Sequence, residues 1–289
     1  MLELASGLYE GSLSHETHRA AEGVLQTDTR LGDYLQLSLL PRGSQDNLIA
    51  LSFGADSFRE LKMLADGKIS VAWINPSASV TLAYRGKGPL REGIPLRTIA
   101  VFPSWDLMGF AVHESTGITS LEQIRKERIP LRLSTGLTGV RNLMNTPVAY
   151  TVASVLNAAD ITIADIRKWG GVIQSVTRPS HPDRRAAIEK GTVNAVFDEG
   201  IKSWGQTAVD TGFRYLPIDG PVLRRLKAMG YRGAVLPKTH FKGMTEDVST
   251  IDFSGWPMVA RTDMAADVAY ALCEAIELRR KTIPTDNFK

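Results

Sequence analysis

The 289-residue chain carries 34 Lys plus Arg against 31 Asp plus Glu, with 43% hydrophobic and 22% charged residues. That near balance, a formal charge of +3, argues against the clustered basic face that nucleic-acid binding calls for. A mean hydropathy of −0.09 argues against both a disordered polymer and a membrane-embedded chain, and the single cysteine, Cys273, excludes an intrachain disulfide or a thiolate zinc cluster.

In chain order, short apolar β-rich runs predict strands near 2–5, 35–40, 69–74, 97–102, 107–113, 131–134, 193–197, 213–218 and 256–261. Between them, apolar residues at helical spacing predict helices near 15–25, 57–66, 120–127, 147–158, 183–190, 200–211, 221–229 and 264–280. Alternation of this kind predicts an α/β fold built on mainly parallel strands. Asp56 or Ser57 can cap a helix carrying Phe58, Leu61 and Leu64. "TSLE" at 119–122 reads as a capping box, with Thr119 as N-cap and Glu122 reaching back. Basic runs at 224–227 and 279–281 read as solvated helix faces or ends. In the last helix, Cys273 is expected to be a buried small residue beside the stripe Val268, Leu272, Ala275 and Ile276.

The sequence shows no basic n-region followed by a 7–15-residue apolar stretch, so a cytoplasmic location is expected, or a periplasmic one if a leader has been removed. The longest uncharged stretch, 143–159, contains Pro147 and several polar groups and is not expected to insert in a membrane.

Two segments more than a hundred residues apart share one pattern. "DGKISVAWINPSA" (66–78) and "KGTVNAVFDEGIK" (190–202) each run from a turn glycine, Gly67 or Gly191, through a β-branched residue into a small-apolar-aromatic strand. Each strand ends in polar residues. A buried strand with a polar carboxyl end places ligand-contacting groups at the sheet edge where open α/β sheets bind their ligands. Three stretches, "SGLYEGSLSH" (6–15), "SFGADSF" (52–58) and "LSTGLTGV" (133–140), put glycine and hydroxyl residues between a strand and a helix. Such turns can hold a carboxylate on free N–H groups and the helix dipole. None is a Walker A loop, and no metal or cofactor is expected.

Taken in order, "LELASGLYEGSLSHETHRAAEGVL", "FGADSFRELKMLADGKISVAWINPSAS", "GITSLEQIRKERIPLRLSTGLTGV", "VLNAADITIADI", "GTVNAVFDEGIKSW" and "RTDMAADVAYALCEAI" resemble the solute receptors of TAXI-type TRAP transporters. The resemblance covers almost the whole chain through loose patterns. It implies a two-lobe, type 2 periplasmic binding-protein-like fold, with lobe 1 at 1–105 plus 256–289 and lobe 2 at 106–255. "LMGFAVH" and "IDFSGWPMVAR" would be the hinge crossovers. It further implies a receptor that clamps a small organic acid or related polar metabolite, with a TRAP membrane permease as partner. The contact residues so implied are Gly11, Ser12, Ser14, Ser57 and Asn75 from lobe 1, with Ser134, Thr135, Gly136 and Thr138 from lobe 2. His15, at the first loop-helix junction, and Glu199, at the end of the second repeat, are further expected contacts from their positions.

Two departures from that family stand out. "GLTGVRNLMNTP" is longer than the compact glycine-serine-glycine-threonine turn of the family and bears Arg141, and the second repeat ends in Asp198 and Glu199 where the first ends in neutral Asn75. Two carboxylates at a binding edge would repel an anion, by about 1 kcal/mol or more per close pair. The alternative reading is a cytoplasmic enzyme on the same fold, such as a decarboxylase, with His15, His181 and Glu199 in acid-base roles and His181 near Arg178 and Glu199. Of the remaining histidines, His18, His113 and His240 are expected to be structural or exposed. Tyr9, Trp73, Trp105 and Trp204 are aromatics that would stack on a ring-bearing ligand, or else belong to the core.

Overall fold

The structure, a computed structural model, describes residues 26–27, 35–39, 49–53, 57–136 and 146–281. The chain divides into two compact units, Met1–Trp105 with Ser254–Lys289, and Asp106–Phe253. The strand expected at 2–5, the helix at 15–25, and Tyr9, Gly11, Ser12, Ser14, His15, His18, Thr138 and Arg141 lie outside the described residues.

In the first unit a mixed sheet takes its strands from both ends of the chain. Strands β1 (Gln26–Thr27), β2 (Leu35–Leu39), β3 (Ile49–Phe53), β4 (Val71–Trp73) and β5 (Leu96–Phe102) come before the second unit, and β13 (Trp256–Arg261) comes after it. Their spatial order is β1-β2-β3-β4-β13-β5. Strands β3 and β4 are parallel, whereas β13 pairs antiparallel with both β4 and β5. Helix α1 (Ser57–Ala65) buries Phe58, Leu61 and Leu64, the face expected from their spacing. Helix α2 (Ser77–Tyr84) follows β4.

The second unit has its own five-stranded sheet, in the order β10-β6-β9-β7-β8. These are β6 (Gly109–His113), β7 (Arg132–Thr135), β8 (Val172–Ser175), β9 (Ala195–Asp198) and β10 (Phe213–Tyr215). Strands β7, β8 and β9 are mutually parallel. Strand β6, which enters from the first crossing, runs antiparallel to β9, and β10 runs antiparallel to β6. A strand of reversed direction set into an otherwise parallel sheet, together with two chain crossings, is the arrangement of the type 2 periplasmic binding-protein-like fold. Phe110 and Phe197 stack at 4.6 Å between centroids across the β6–β9 pair. The helices are α3 (Leu121–Glu127), α4 (Pro147–Ala158), α5 (Ile163–Lys168), α6 (Pro182–Glu189), α7 (Gly205–Asp210) and α8 (Gly220–Met229). A hairpin of β11 (Gly233–Leu236) and β12 (Val248–Ile251) completes the unit, and helix α9 (Ala266–Arg279) belongs to the first.

The repeated phrase is one physical motif used twice. Gly67 (φ 71°) and Gly191 (φ 64°) both adopt the left-handed conformation that ends a helix cheaply only for glycine. Their N–H groups donate to Leu64 O (3.1 Å) and Ile188 O (3.1 Å), and the next residues, Lys68 and Thr192, donate to Met63 O (2.9 Å) and Ala187 O (3.0 Å). An arginine braces each turn. Arg261 donates to Leu64 O (3.1 Å), and Arg132 donates to Thr192 O (3.0 Å) and Gly191 O (3.3 Å).

Two local expectations are corrected. Ser120, not Thr119, caps α3, accepting from Gln123 N at 3.1 Å, and Glu122 instead pairs with Lys126 at 2.7 Å. Gln123 has the reach for the reciprocal bond, taking the N–H of Thr119 at 2.9 Å. Cys273 is exposed, while Leu272 and Ala275 are buried. One residue is about 100° of helix rotation, which turns Cys273 off the stripe, and its thiol reaches Ile99 O at 3.7 Å.

A close backbone approach gives a first prediction. A Cβ on Gly171, between α5 and β8, would lie 2.6 Å from Leu131 O and 2.7 Å from Ile166 O. Neither carbonyl can swing aside as a side chain does. Gly171→Ala is expected to cost about 1–3 kcal/mol, read as a lowered urea midpoint with an unchanged slope.

Candidate functional site

Because β7, β8 and β9 are parallel, their carboxyl ends at Thr135, Ser175 and Asp198 lie along one edge of the second unit's sheet. Successive side chains alternate across a strand, so Ser134 and Asp198 can meet a helix packed on one face. That helix is α6. Its spacing places Arg184, Ala187 and Ile188 inward, and Arg184 is fully buried. The guanidinium has three acceptors: Ser134 Oγ on Nε (3.2 Å), Pro179 O on Nη1 (3.2 Å) and the Asp198 carboxylate on Nη2. Asp198 also accepts the N–H of Glu199 at 2.9 Å. Burial pushes the Asp198 carboxyl up from its ordinary value, and Arg184 opposes this by holding the anion.

Asp106, the first residue of the second unit, brings a third carboxyl to this edge. Its oxygens accept Leu107 N (2.8 Å) and Gly200 N (2.9 and 3.0 Å). It lies close enough to the Glu199 carboxyl for each to shift the other's protonation. Burial first, and then the charges of Asp106 and Asp198, push the Glu199 carboxyl up to about 10. Asp106 is also raised, by burial, with Glu199 and hydrogen bonds from Gly200 and Leu107 acting against it. At neutral pH Glu199 is therefore held as the neutral acid. Asp198 is paired with Arg184, which leaves Asp106 as the anion of this edge.

Gly136 follows β7 directly. A Cβ there would lie 3.1 Å from each Asp198 oxygen and 3.2 Å from Val148 Cγ1. These approaches are tighter than ordinary van der Waals contact, so the absence of a Cβ lets the Gly136 backbone pack directly against Asp198. Next to it, Thr135 is fully buried and its hydroxyl has no hydrogen-bond partner.

Of the residues expected at a ligand, the structure thus joins Ser134, Gly136 and Glu199 through Asp198. Ser134 is turned to Arg184 and is fully buried. In the first unit, Ser57 and Asn75 close on each other at the end of β4. Ser57 Oγ donates to Asn75 O (2.8 Å) and accepts from Asn75 N (3.0 Å), while Asn75 Nδ2 donates to Gly255 O (3.3 Å). Ser57 is buried and its hydroxyl serves this junction.

His181 caps α6 through its ring, accepting from Asp183 N at 3.2 Å, and its own N–H donates to Arg178 O at 3.1 Å. Arg184, one turn further along, reaches the acid cluster. His113 caps the turn at Glu114–Thr116 by accepting Ser115 N at 3.2 Å. Burial lowers His240 from its ordinary value. Trp73 and Trp204 are core residues, at 1% and 2% exposure, and the Trp204 indole N–H donates to Glu199 O at 2.9 Å. Among the described residues no group of three or more His, Cys, Asp or Glu could hold a metal ion, and no helix is long and apolar enough to cross a membrane.

No family model matches the chain, and no curated protein matches it. Among solved structures it is similar to XAC2383 from Xanthomonas citri bound to ATP, at 14% identity and a TM-score of 0.44, covering 80% of this chain and 71% of that one. It is also similar to a TctC solute binding protein from Polaromonas, at 12% identity and a TM-score of 0.39, covering 78% of this chain and 69% of that one. A third is an ancestral arginine-binding protein bound to arginine, at 11% identity and a TM-score of 0.34, covering 78% and 72%.

Proposed function

We propose that this chain is a solute-binding receptor for a small organic acid or related polar metabolite, contacted by the carboxyl edge of the second unit's sheet, and that it serves a membrane permease. The observation that carries the reading is the carboxyl end of β7, where the Gly136 backbone packs against the Arg184-neutralised Asp198 beside the unpartnered Thr135 hydroxyl. Ligands of open α/β sheets collect beyond the carboxyl ends of the strands. Here that edge offers the Gly136 backbone, a hydroxyl and a protonated carboxyl, groups that can hydrogen-bond a polar solute. The resemblance of the sequence to TAXI-type receptors supports the same class of ligand.

The test is a melting-shift screen with aliphatic and aromatic carboxylates, amino acids, amines and polyols. At a hundredfold excess over its Kd, a carboxylate is expected to raise Tm by roughly 5 °C or more. Gly136→Ala should keep the fold and weaken that ligand at least tenfold by calorimetry. A complete panel without one responder removes the receptor reading, and a responder that binds Gly136→Ala equally well moves the site elsewhere.

A further inference from the structure

At the carboxyl end of α4 the second unit has a cavity of about 280 Å³. The first turn of that helix serves the sheet edge already described, where Val148 approaches Gly136. Ala158, Ala159 and Asp160, at and just beyond its last turn, line the cavity, roughly 15 Å further along the helix axis. The starts of α3 and α8 close round the same space, and Leu121, Pro217 and Val222 join Ala159 in an apolar lining. Drug-sized ligands sit in clefts of about 300–1,000 Å³, so the occupant that fits here is smaller.

Five charged side chains also line the cavity: Glu122, Arg125, Asp160, Asp219 and Arg225. Three of them are engaged. Arg225 donates to Ala158 O (2.8 Å) and Asp160 Oδ1 (2.9 Å), and Glu122 pairs with Lys126. Asp160 follows α4 in the left-handed conformation (φ 57°). Glycine takes that conformation more cheaply, but it has no carboxylate to hold the guanidinium. The other two charges have opposite signs. Arg125 acts on Glu122 by its charge, yet its guanidinium makes no hydrogen bond or ion pair among the described residues. Asp219 stands at the N-cap of α8, where a carboxylate ordinarily accepts a helix N–H, and its side chain makes no such bond. It forms no ion pair with Arg125 or with another described cation. A cation and an anion left unpaired around an apolar lining complement a small zwitterion. We propose that this cavity is a second binding site of the chain, and that it takes a small apolar α-amino acid, with the carboxylate on Arg125, the ammonium on Asp219 and the side chain against Leu121, Ala159 and Val222. Each charge then gains a partner, and the lining covers the apolar remainder. The site stands whether or not the carboxyl edge of the sheet binds an acid.

The experiment is a 1H–15N NMR titration of the full chain with L-valine. Isovalerate, which lacks the ammonium, and isobutylamine, which lacks the carboxylate, are titrated in parallel. Valine is expected to move the amide resonances of Leu121, Ala158, Ala159, Asp160 and Val222, and to bind more tightly than either half. Asp219→Asn should weaken valine about fivefold, the upper worth of one exposed ion pair, and leave isovalerate unchanged. Arg125→Gln should weaken valine to a similar degree and leave isobutylamine unchanged. Both substitutions are at exposed positions, where the fold tolerates them. Still amides in wild type, equal affinity for valine and for one of its halves, or a valine affinity untouched by either variant would overturn the site. Movement confined to Thr135 and Gly136 would overturn it as well, and would place the amino acid at the sheet edge instead.

Discussion

Arg184→Met is expected to lower unfolding stability by about 3–5 kcal/mol in urea at pH 7, the range for removing one partner of a buried ion pair. Arg184 has no solvent exposure and Asp198 is 1% exposed, so the carboxylate left behind has no water to turn to. Ser134 Oγ and Pro179 O lose their donor at the same time. Arg184→Lys should recover little, because one ammonium cannot reproduce a planar fork spread over three acceptors. The informative companion is the double variant Arg184→Met with Asp198→Leu. Removing both charges should restore part of the loss, since the penalty comes from the orphaned anion. A single-variant loss below about 1 kcal/mol would show that the pair is not buried in solution.

The second large effect is in the pH dependence of stability. The folded-state value of Glu199 lies at about 10, against an ordinary 4.5. Between those two values the folded chain holds a proton that the unfolded chain releases. Stability from this group is therefore complete below its unfolded value and is lost as pH rises toward 10. The limiting slope for one proton is about 1.4 kcal/mol per pH unit. In denaturant titrations from pH 6 to 9, wild type should lose stability steadily, while Glu199→Gln should be flatter and more stable than wild type at pH 9. The exposed carboxyls of Asp66, Glu122 and Asp263 are lowered by hydrogen bonds from Lys62, Lys126 and Arg261 respectively. Their contributions are lost on the acid side and do not enter this window. Equal slopes for the two proteins would exclude a protonated Glu199.

The α/β pattern was legible because it is written in local periodicities. Ile69 to Trp73 and Val193 to Phe197 announce buried strands by composition alone, and Phe58, Leu61 and Leu64 announce a helix face. Strands β1, β3, β8, β11 and β12 were missed. Of these, β8 and β12 are four-residue segments carrying Gln or Ser and Thr, whose strand state comes from their neighbours in the sheet and hairpin. At the candidate site, Ser134, Gly136 and Glu199 were visible as polar residues following apolar strands. Arg184 had a signal that went unread: it shares a helical face with Ala187 and Ile188, which is not where a solvated arginine sits. Asp106 had none. Its partners, Gly200 and Glu199, are more than ninety residues away, and only the crossing brings them together.

The placement of β13 bears on how the polypeptide matures on the ribosome. The strand lies between β4 and β5 and is hydrogen-bonded to both, yet it is translated after all 148 residues of the intervening segment, Asp106–Phe253. That segment is continuous, and it can close its own sheet while the nascent chain is still growing. The amino-terminal portion must wait, its two neighbouring strands unpaired at their facing edges, until β13 has been translated. Premature termination after Phe253 but before β13 would thus release a finished second unit attached to an open, adhesive half-sheet.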